Sequence, residues 1–195
     1  MSETPSEVIV VSGLPRSGTS MAMRMLEVGG VPPVTDGERV ADDSNPRGYY
    51  ELEAVKKLPA NAEWLEKADG KAVKIVAPLL GKLPTAAGRR YRVIVMRREI
   101  AEVLGSQATM LDRLGRPSAS IDPARLGKAL LGQLDQAAAL CDNRSDMDRL
   151  DLAYADAVSD PRSAAEAIAA FLGRPMDLDA MAATVDPALY RQRGR

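Results

Sequence analysis

One stretch constrains this chain more than any other: Val8-Ile9-Val10-Val11, then Ser12-Gly13-Leu14-Pro15-Arg16-Ser17-Gly18-Thr19-Ser20, then Met21 to Val28. The β-branched run predicts a strand buried on both faces, as in a parallel sheet. The segment after the loop is rich in Met and Leu and free of Gly and Pro, which predicts a helix. Strand, glycine-containing loop and helix in that order make a site for an anion. The leading N–H groups of the helix have no intrahelical acceptor, the helix dipole favours negative charge there, and glycine lets a ligand approach the backbone.

The spacing is close to that of the nucleoside-triphosphate loop G-x-x-x-x-G-K-[ST], with Gly13, Gly18 and Ser20 in register. Thr19 stands where that loop carries lysine, and the cation of this loop is Arg16. A phosphate-like group therefore suits it, but ATP hydrolysis by the usual arrangement does not. The plain alternative is an unliganded turn between strand and helix. Two glycines, an arginine and the hydroxyls of Ser17, Thr19 and Ser20 are more than such a turn needs.

The chain has no histidine, which removes a Ser-His-Asp triad, a His-ligated metal and a histidine base. Proton transfer must then fall to a carboxylate, lysine or tyrosine. A single cysteine, Cys141, excludes an internal disulfide and a Cys-based zinc site, and reads as a core residue. No metal is expected. The net charge of −1 argues against a nucleic-acid partner held by bulk electrostatics, although Arg89, Arg90, Arg92, Arg97 and Arg98 form a local basic cluster. The polar, acidic start is unlike a signal peptide, and no apolar run approaches membrane-spanning length. The expectation is a soluble, cytoplasmic protein with no membrane partner, built as a single domain over residues 1–195.

Further along, Gly29-Gly30 ends the first helix and 35–49 reads as a long polar loop. A helix broken at Pro59 is expected over 51–67, with Trp64 as core or cleft wall. Residues 72–77 predict a strand containing Lys74, which either reaches an anion at the strand's carboxyl end or is an edge charge. A strand over 91–96, a helix over 100–114, a flap-like break over 115–120 and a helix over 123–141 follow. A short strand over 150–152 and a helix from Asp160-Pro161 to Phe171, capped by Gly173, complete the pattern. Asp146, Asp148 and Asp151 lack the Gly and Glu of a calcium loop and read as solvated acidic surface. The alternation of strands and helices predicts an α/β fold: a three-layer, P-loop/Rossmann-like parallel sheet with helices on both faces. Ligands belong at the carboxyl ends of its strands.

Leu14-Pro15-Arg16-Ser17-Gly18-Thr19-Ser20 resembles the 5′-phosphosulfate loop of sulfotransferases, Pro-(Lys/Arg)-Ser-Gly-Thr-(Thr/Ser), which take the sulfuryl group from 3′-phosphoadenosine 5′-phosphosulfate (PAPS). Arg98-Glu99-Ile100-Ala101-Glu102-Val103-Leu104-Gly105-Ser106 resembles the family's 3′-phosphate element, in which a strand ends in arginine and a serine follows on the helix. Glu99-Ile100 departs from the Asp-Pro usual there. Asn45-Pro46-Arg47-Gly48-Tyr49-Tyr50-Glu51 is similar to a segment near the acceptor site of many bacterial members, and 154–173 to their C-terminal region.

The resemblance implies PAPS as co-substrate and 3′-phosphoadenosine 5′-phosphate (PAP) as product. It implies Arg16, Ser17, Gly18, Thr19 and Ser20 at the 5′-phosphosulfate, and Arg98 and Ser106 at the 3′-phosphate. The acceptor would be a hydroxyl or amine of a small molecule or small polymer, with Arg16 and the loop N–H groups neutralising charge as the sulfuryl group moves. Arginines 191, 193 and 195 are a basic tail that could fold over the nucleotide. For the base, Glu51 is the first candidate, with Tyr49, Tyr50 and Trp64 as apolar walls to raise its pKa; Asp42 and Asp43 come next. A carboxylate in the first turn of a helix also stabilises it through the dipole, a sufficient reason for Glu51 to be there. Two other readings stay open: an atypical P-loop kinase, which would require magnesium, and a nucleotide-binding module without turnover. A homodimer is compatible with the sequence.

Overall fold

The computed structural model describes residues 6–38, 48–113, 115 and 122–190. Four strands, β1 (Ser6–Gly13), β2 (Ala72–Lys74), β3 (Arg89–Arg97) and β4 (Met147–Ala153), form one sheet in the order β2-β1-β3-β4. Every pairing is parallel. Around it stand α1 (Thr19–Val28), α2 (Glu53–Lys56), α3 (Ile100–Arg113), α4 (Pro123–Asn143), α5 (Tyr154–Ser159), α6 (Pro161–Leu172) and α7 (Leu178–Ala183).

Successive strand residues alternate between two cores. Val8, Val10, Tyr91, Val93 and Val95 face one, packed with Val103 of α3 and Leu130, Leu134 and Cys141 of α4. Ile9, Val11, Ile94 and Met96 face the other, packed with Met23 and Leu26 of α1, Ala157 of α5 and Ile168 of α6. Two apolar faces on one sheet require a helical layer on each, the three-layer arrangement the sequence predicts. Cys141 is a core residue, and burial pushes its thiol up to about 11.

From β1 the chain steps toward β2 through α1 on the second face, reaching the Pro33–Ala72 bridge before α2 packs on the first. From β3 it steps the opposite way to β4 through α3 and α4, on the first face. Opposite steps on opposite faces give the two crossovers the same hand. The loops leaving β1 and β3 therefore diverge, and a crevice opens at the carboxyl ends of these adjacent strands, where ligands of open α/β sheets bind.

Several boundaries differ from expectation. The helix expected over 51–67 is the single turn α2, a cis Leu58–Pro59 bond and a 3-10 turn at Glu63–Lys67, because Pro59 lacks the N–H a continuing helix needs. β2 stops at Lys74 rather than 77, ahead of the 3-10 turn Ala77–Lys82 with Pro78 at its start. β3 and β4 each extend beyond their apolar centres. Arg90 and Arg92 on β3 pair across the strands with Asp148 on β4, at 2.7 and 3.0 Å, so charged residues continue the ladder. Asp146 pairs with Arg144 at 2.6 Å and Asp151 with Arg97 at 2.7 Å. The stretch read as solvated acidic surface is thus an arginine-paired one, and the basic cluster of β3 supplies partners to it.

Candidate functional site

The loop leaving β1 is set by backbone conformations that glycine alone adopts easily. Gly13 has φ +146° and Gly18 +100°. A Cβ on Gly13 would lie 2.5 Å from Ser17 Oγ and 2.8 Å from the Met96 carbonyl, and one on Gly18 would lie 2.4 Å from the Tyr154 ring. Space and φ therefore demand glycine at both positions. Gly18 is the N-cap of α1 and brings no capping side chain, so the helix start presents backbone donors.

Arg16 is held in the left-handed region at φ +73°, which turns its side chain across to α3. Its Nε donates to Ser106 Oγ at 3.0 Å, and Arg98 Nη1 donates to the Arg16 carbonyl at 3.1 Å. Residues more than eighty positions apart, from the two loops singled out in the sequence, are thus bonded to one another. Ser106 meets the β1 loop two turns down α3 because Arg16 reaches over to it; the helix does not have to double back.

β3 ends at Arg97, whose side chain goes outward to Asp151, and the next residue, Arg98, turns into the crevice. Arg98 Nε donates to Glu102 Oε2 at 2.9 Å, and the two side chains are 8% and 5% exposed. The guanidinium lies 4.5 Å from the Tyr154 ring centre and 5.2 Å from that of Tyr190. Tyr190 donates its hydroxyl to Glu102 Oε1 at 2.8 Å. Burial raises the Tyr154 phenol above its ordinary pKa, and burial with the Glu102 hydrogen bond does the same for Tyr190. Both rings are consequently neutral over Arg98 at physiological pH. Glu102, Tyr154 and Tyr190 were missing from the sequence expectation. The one sequence cue is the i,i+4 spacing of Arg98 and Glu102, which is common on helices that bind nothing.

The other loop residues differ in their commitments. Ser17 is buried, and both its N–H and its hydroxyl donate to the Leu14 carbonyl, at 3.1 and 2.8 Å. Its two donors hold the loop's own turn in this conformation. Thr19 is buried in the first turn of α1. Ser20 Oγ donates to the Tyr49 carbonyl at 3.5 Å.

That carbonyl is a junction. Lys74 Nζ also donates to it, and Lys74 lies 3.7 Å from Glu51 Oε1. Lys74 is 9% exposed, so it is an inward cation at the carboxyl end of β2 and not an edge charge. Glu51 stands just before α2, whose N-cap is Leu52 and whose first-turn acid is Glu53. The dipole reason for Glu51 therefore belongs to Glu53. Thr35 Oγ1 and the Asp36 N–H donate to the Glu51 carbonyl, at 2.8 and 3.4 Å, and Asp36 Oδ2 accepts from the Glu53 N–H at 2.6 Å. These bonds anchor the segment next to the β1 loop. The expected apolar walls have other uses. Tyr50 donates its hydroxyl to Glu27 at 2.6 Å, and Trp64 donates to the Asn61 carbonyl and packs on the first core. Asp42, Asp43, residues 45–47 and 116–120, and the arginines at 191, 193 and 195 lie outside the described residues. Among the described residues, no helix is long and apolar enough to cross a membrane.

The sulfotransferase family matches residues 49–178, 130 of the 195 residues, and the chain belongs to that family. The match takes in Glu51, Lys74, Arg98 and Ser106, and begins after the β1 loop. No curated protein matches. Among solved structures, the sulfotransferase domain of the Synechococcus PCC 7002 olefin synthase superposes with a TM-score of 0.62 at 19% identity, over 99% of this chain and 90% of that one. A sulfotransferase from Alicyclobacillus acidocaldarius gives 0.53 at 15%, over 87% and 83%. Retinol dehydratase, solved with androsterone and the inactive cofactor PAP, gives 0.52 at 16%, over 95% and 64%. At these identities the likeness is one of fold, and it agrees with the four-stranded parallel sheet flanked by helices.

Proposed function

We propose that this chain transfers the sulfuryl group of PAPS to a hydroxyl or amine of a small-molecule or small-polymer acceptor. The observation that carries the reading is the tie between the two loops: Arg98 bonded to the Arg16 carbonyl and Arg16 bonded to Ser106. One ligand with two separate anionic ends suits such a pair of neighbouring anion loops; a lone triphosphate suits only the first. The uncapped start of α1 and the glycine cradle fit a 5′-phosphosulfate, and the inward Arg98 fits a 3′-phosphate. That retinol dehydratase was solved with PAP supports the same choice.

Bound PAPS supplies a sulfuryl group already activated by its link to the 5′-phosphate. The chain's residues do the rest. Arg16 and the N–H groups at the start of α1 stabilise negative charge on the sulfuryl oxygens and the departing phosphate. Glu51 takes the acceptor's proton as the new bond to sulfur forms and the bond between sulfur and the 5′-phosphate oxygen breaks. Lys74, 3.7 Å away, orients Glu51 through the ion pair and by its bond to the Tyr49 carbonyl. Thr19 and Ser20 add hydroxyls from the first turn of α1. Ser17 holds the loop turn, and its expected hydroxyl contact with the ligand is not part of this reading.

The test is release of PAP from PAPS, without added metal, in the presence of a panel of phenols, alcohols and amines. Acceptor-dependent release that is lost in Arg16→Ala supports the reading. Consumption of ATP with magnesium, and none of PAPS, would replace it with the kinase.

A further inference from the structure

We propose that Tyr190 and Glu102 are positioning residues for Arg98: together they hold its guanidinium in the plane and bearing at which it receives the nucleotide's 3′-phosphate. The inference rests on the PAPS reading above and extends it to the C-terminal segment. An arginine that reads a phosphate loses rotamer freedom on binding, and one whose plane is fixed beforehand loses less. Arg98 is fixed in three ways. Its Nε is directed by Glu102 and its Nη1 by the Arg16 carbonyl, and the rings of Tyr154 and Tyr190, their centres 5.0 Å apart, lie together against the guanidinium at 4.5 and 5.2 Å.

Glu102 is not there to attract the ligand, because its charge opposes a phosphate. Its use is directional, and Tyr190 completes it by giving the second carboxylate oxygen a donor at 2.8 Å. Tyr190 follows the 3-10 turn Pro187–Leu189, where Asp186 accepts from the Ala188 N–H at 2.9 Å. Its ring also meets Tyr154 edge to face, with centres 5.0 Å apart. Tyr190 also lines an open cavity of about 540 Å³, together with Glu99, Glu102, Val158, Ser159 and Pro187. Ring contacts, the hydroxyl and packing on the second core hold Tyr190 in place. The series Tyr190–Glu102–Arg98–Arg16 thus runs from the end of the Pro187–Leu189 turn to the β1 loop.

The test is calorimetric titration of the full chain and its Tyr190→Phe and Tyr190→Leu variants with PAP and with adenosine 5′-phosphosulfate, which lacks the 3′-phosphate. Tyr190→Phe keeps the ring and drops the hydroxyl, so PAP should weaken about threefold, the scale of one net hydrogen bond. Tyr190→Leu drops both, and PAP should weaken about 10- to 30-fold. Affinity for adenosine 5′-phosphosulfate should be unchanged in both. PAP binding unchanged in Tyr190→Phe, or an equal loss for both ligands, overturns the positioning role while the PAPS reading stands. A wild-type chain that does not prefer PAP overturns that reading, and the inference with it. Should Tyr190→Leu not fold, the phenylalanine variant decides the matter.

Discussion

Arg98→Ala removes a guanidinium that is 8% exposed and leaves the Glu102 carboxylate, 5% exposed, without the cation 2.9 Å away. Breaking a buried ion pair from one side costs about 3–5 kcal/mol, because the remaining charge stays desolvated. Glu102→Ala is milder, about 2–3 kcal/mol, since Arg98 keeps the Arg16 carbonyl and the Tyr154 and Tyr190 rings. The double variant buries no charge and loses only packing and hydrogen bonds, about 2–3 kcal/mol. The two changes should therefore be non-additive by about 2–6 kcal/mol, with the double variant no less stable than Arg98→Ala. Urea unfolding followed by circular dichroism reads this directly. With a slope of about 2 kcal/mol/M, a loss of 3 kcal/mol lowers the midpoint by about 1.5 M. Additive losses, or an Arg98→Ala midpoint equal to that of wild type, would refute the buried pair as a structural unit.

Glu51→Gln should lower turnover by about 10²- to 10⁴-fold with PAP affinity unchanged, as measured by PAP release and calorimetry; full activity would exclude Glu51 as the base. Gly18→Ala should cost about 2–4 kcal/mol in urea unfolding, from the left-handed backbone and the Tyr154 ring 2.4 Å from the new Cβ, and should abolish PAP binding. Acidification should destabilise the chain. A hydrogen bond from Arg144 holds the Asp146 carboxyl below its ordinary range, and one from Arg90 does the same for Asp148. The unfolded chain then takes up protons first, so the stability these groups add is full above about pH 4 and is lost as the pH falls through the lower folded values. Asp148→Asn should be less stable than wild type at pH 7, with the gap narrowing as the pH falls below about 4 in urea titrations.

The β1 loop was legible in the sequence because its information is local: glycines, a cation and hydroxyls within nine residues, between a strand and a helix. The apolar centres of β1 and β3 were legible for the same reason, since a run buried on both faces needs no partner to be recognised. The ends of β3 and β4 were not, because Arg90, Arg92 and Asp148 are strand residues only by virtue of one another. Lys74 was visible as an oddity, but its direction depends on the Tyr49 carbonyl and Glu51, which the chain brings in from 25 and 23 positions away. The cover over Arg98 was hidden for the strongest reason. Tyr190 lies 88 residues from Glu102, and nothing local to either announces the contact.

Whether the two loops serve one ligand with anionic groups at both ends is read by titrating PAP and ATP into the same protein, each with and without magnesium. PAP should bind without metal and more tightly than ATP, because Thr19 replaces the triphosphate lysine while Arg98 and Ser106 stand beside Arg16. Equal affinities, or binding that appears only with magnesium, would contradict it.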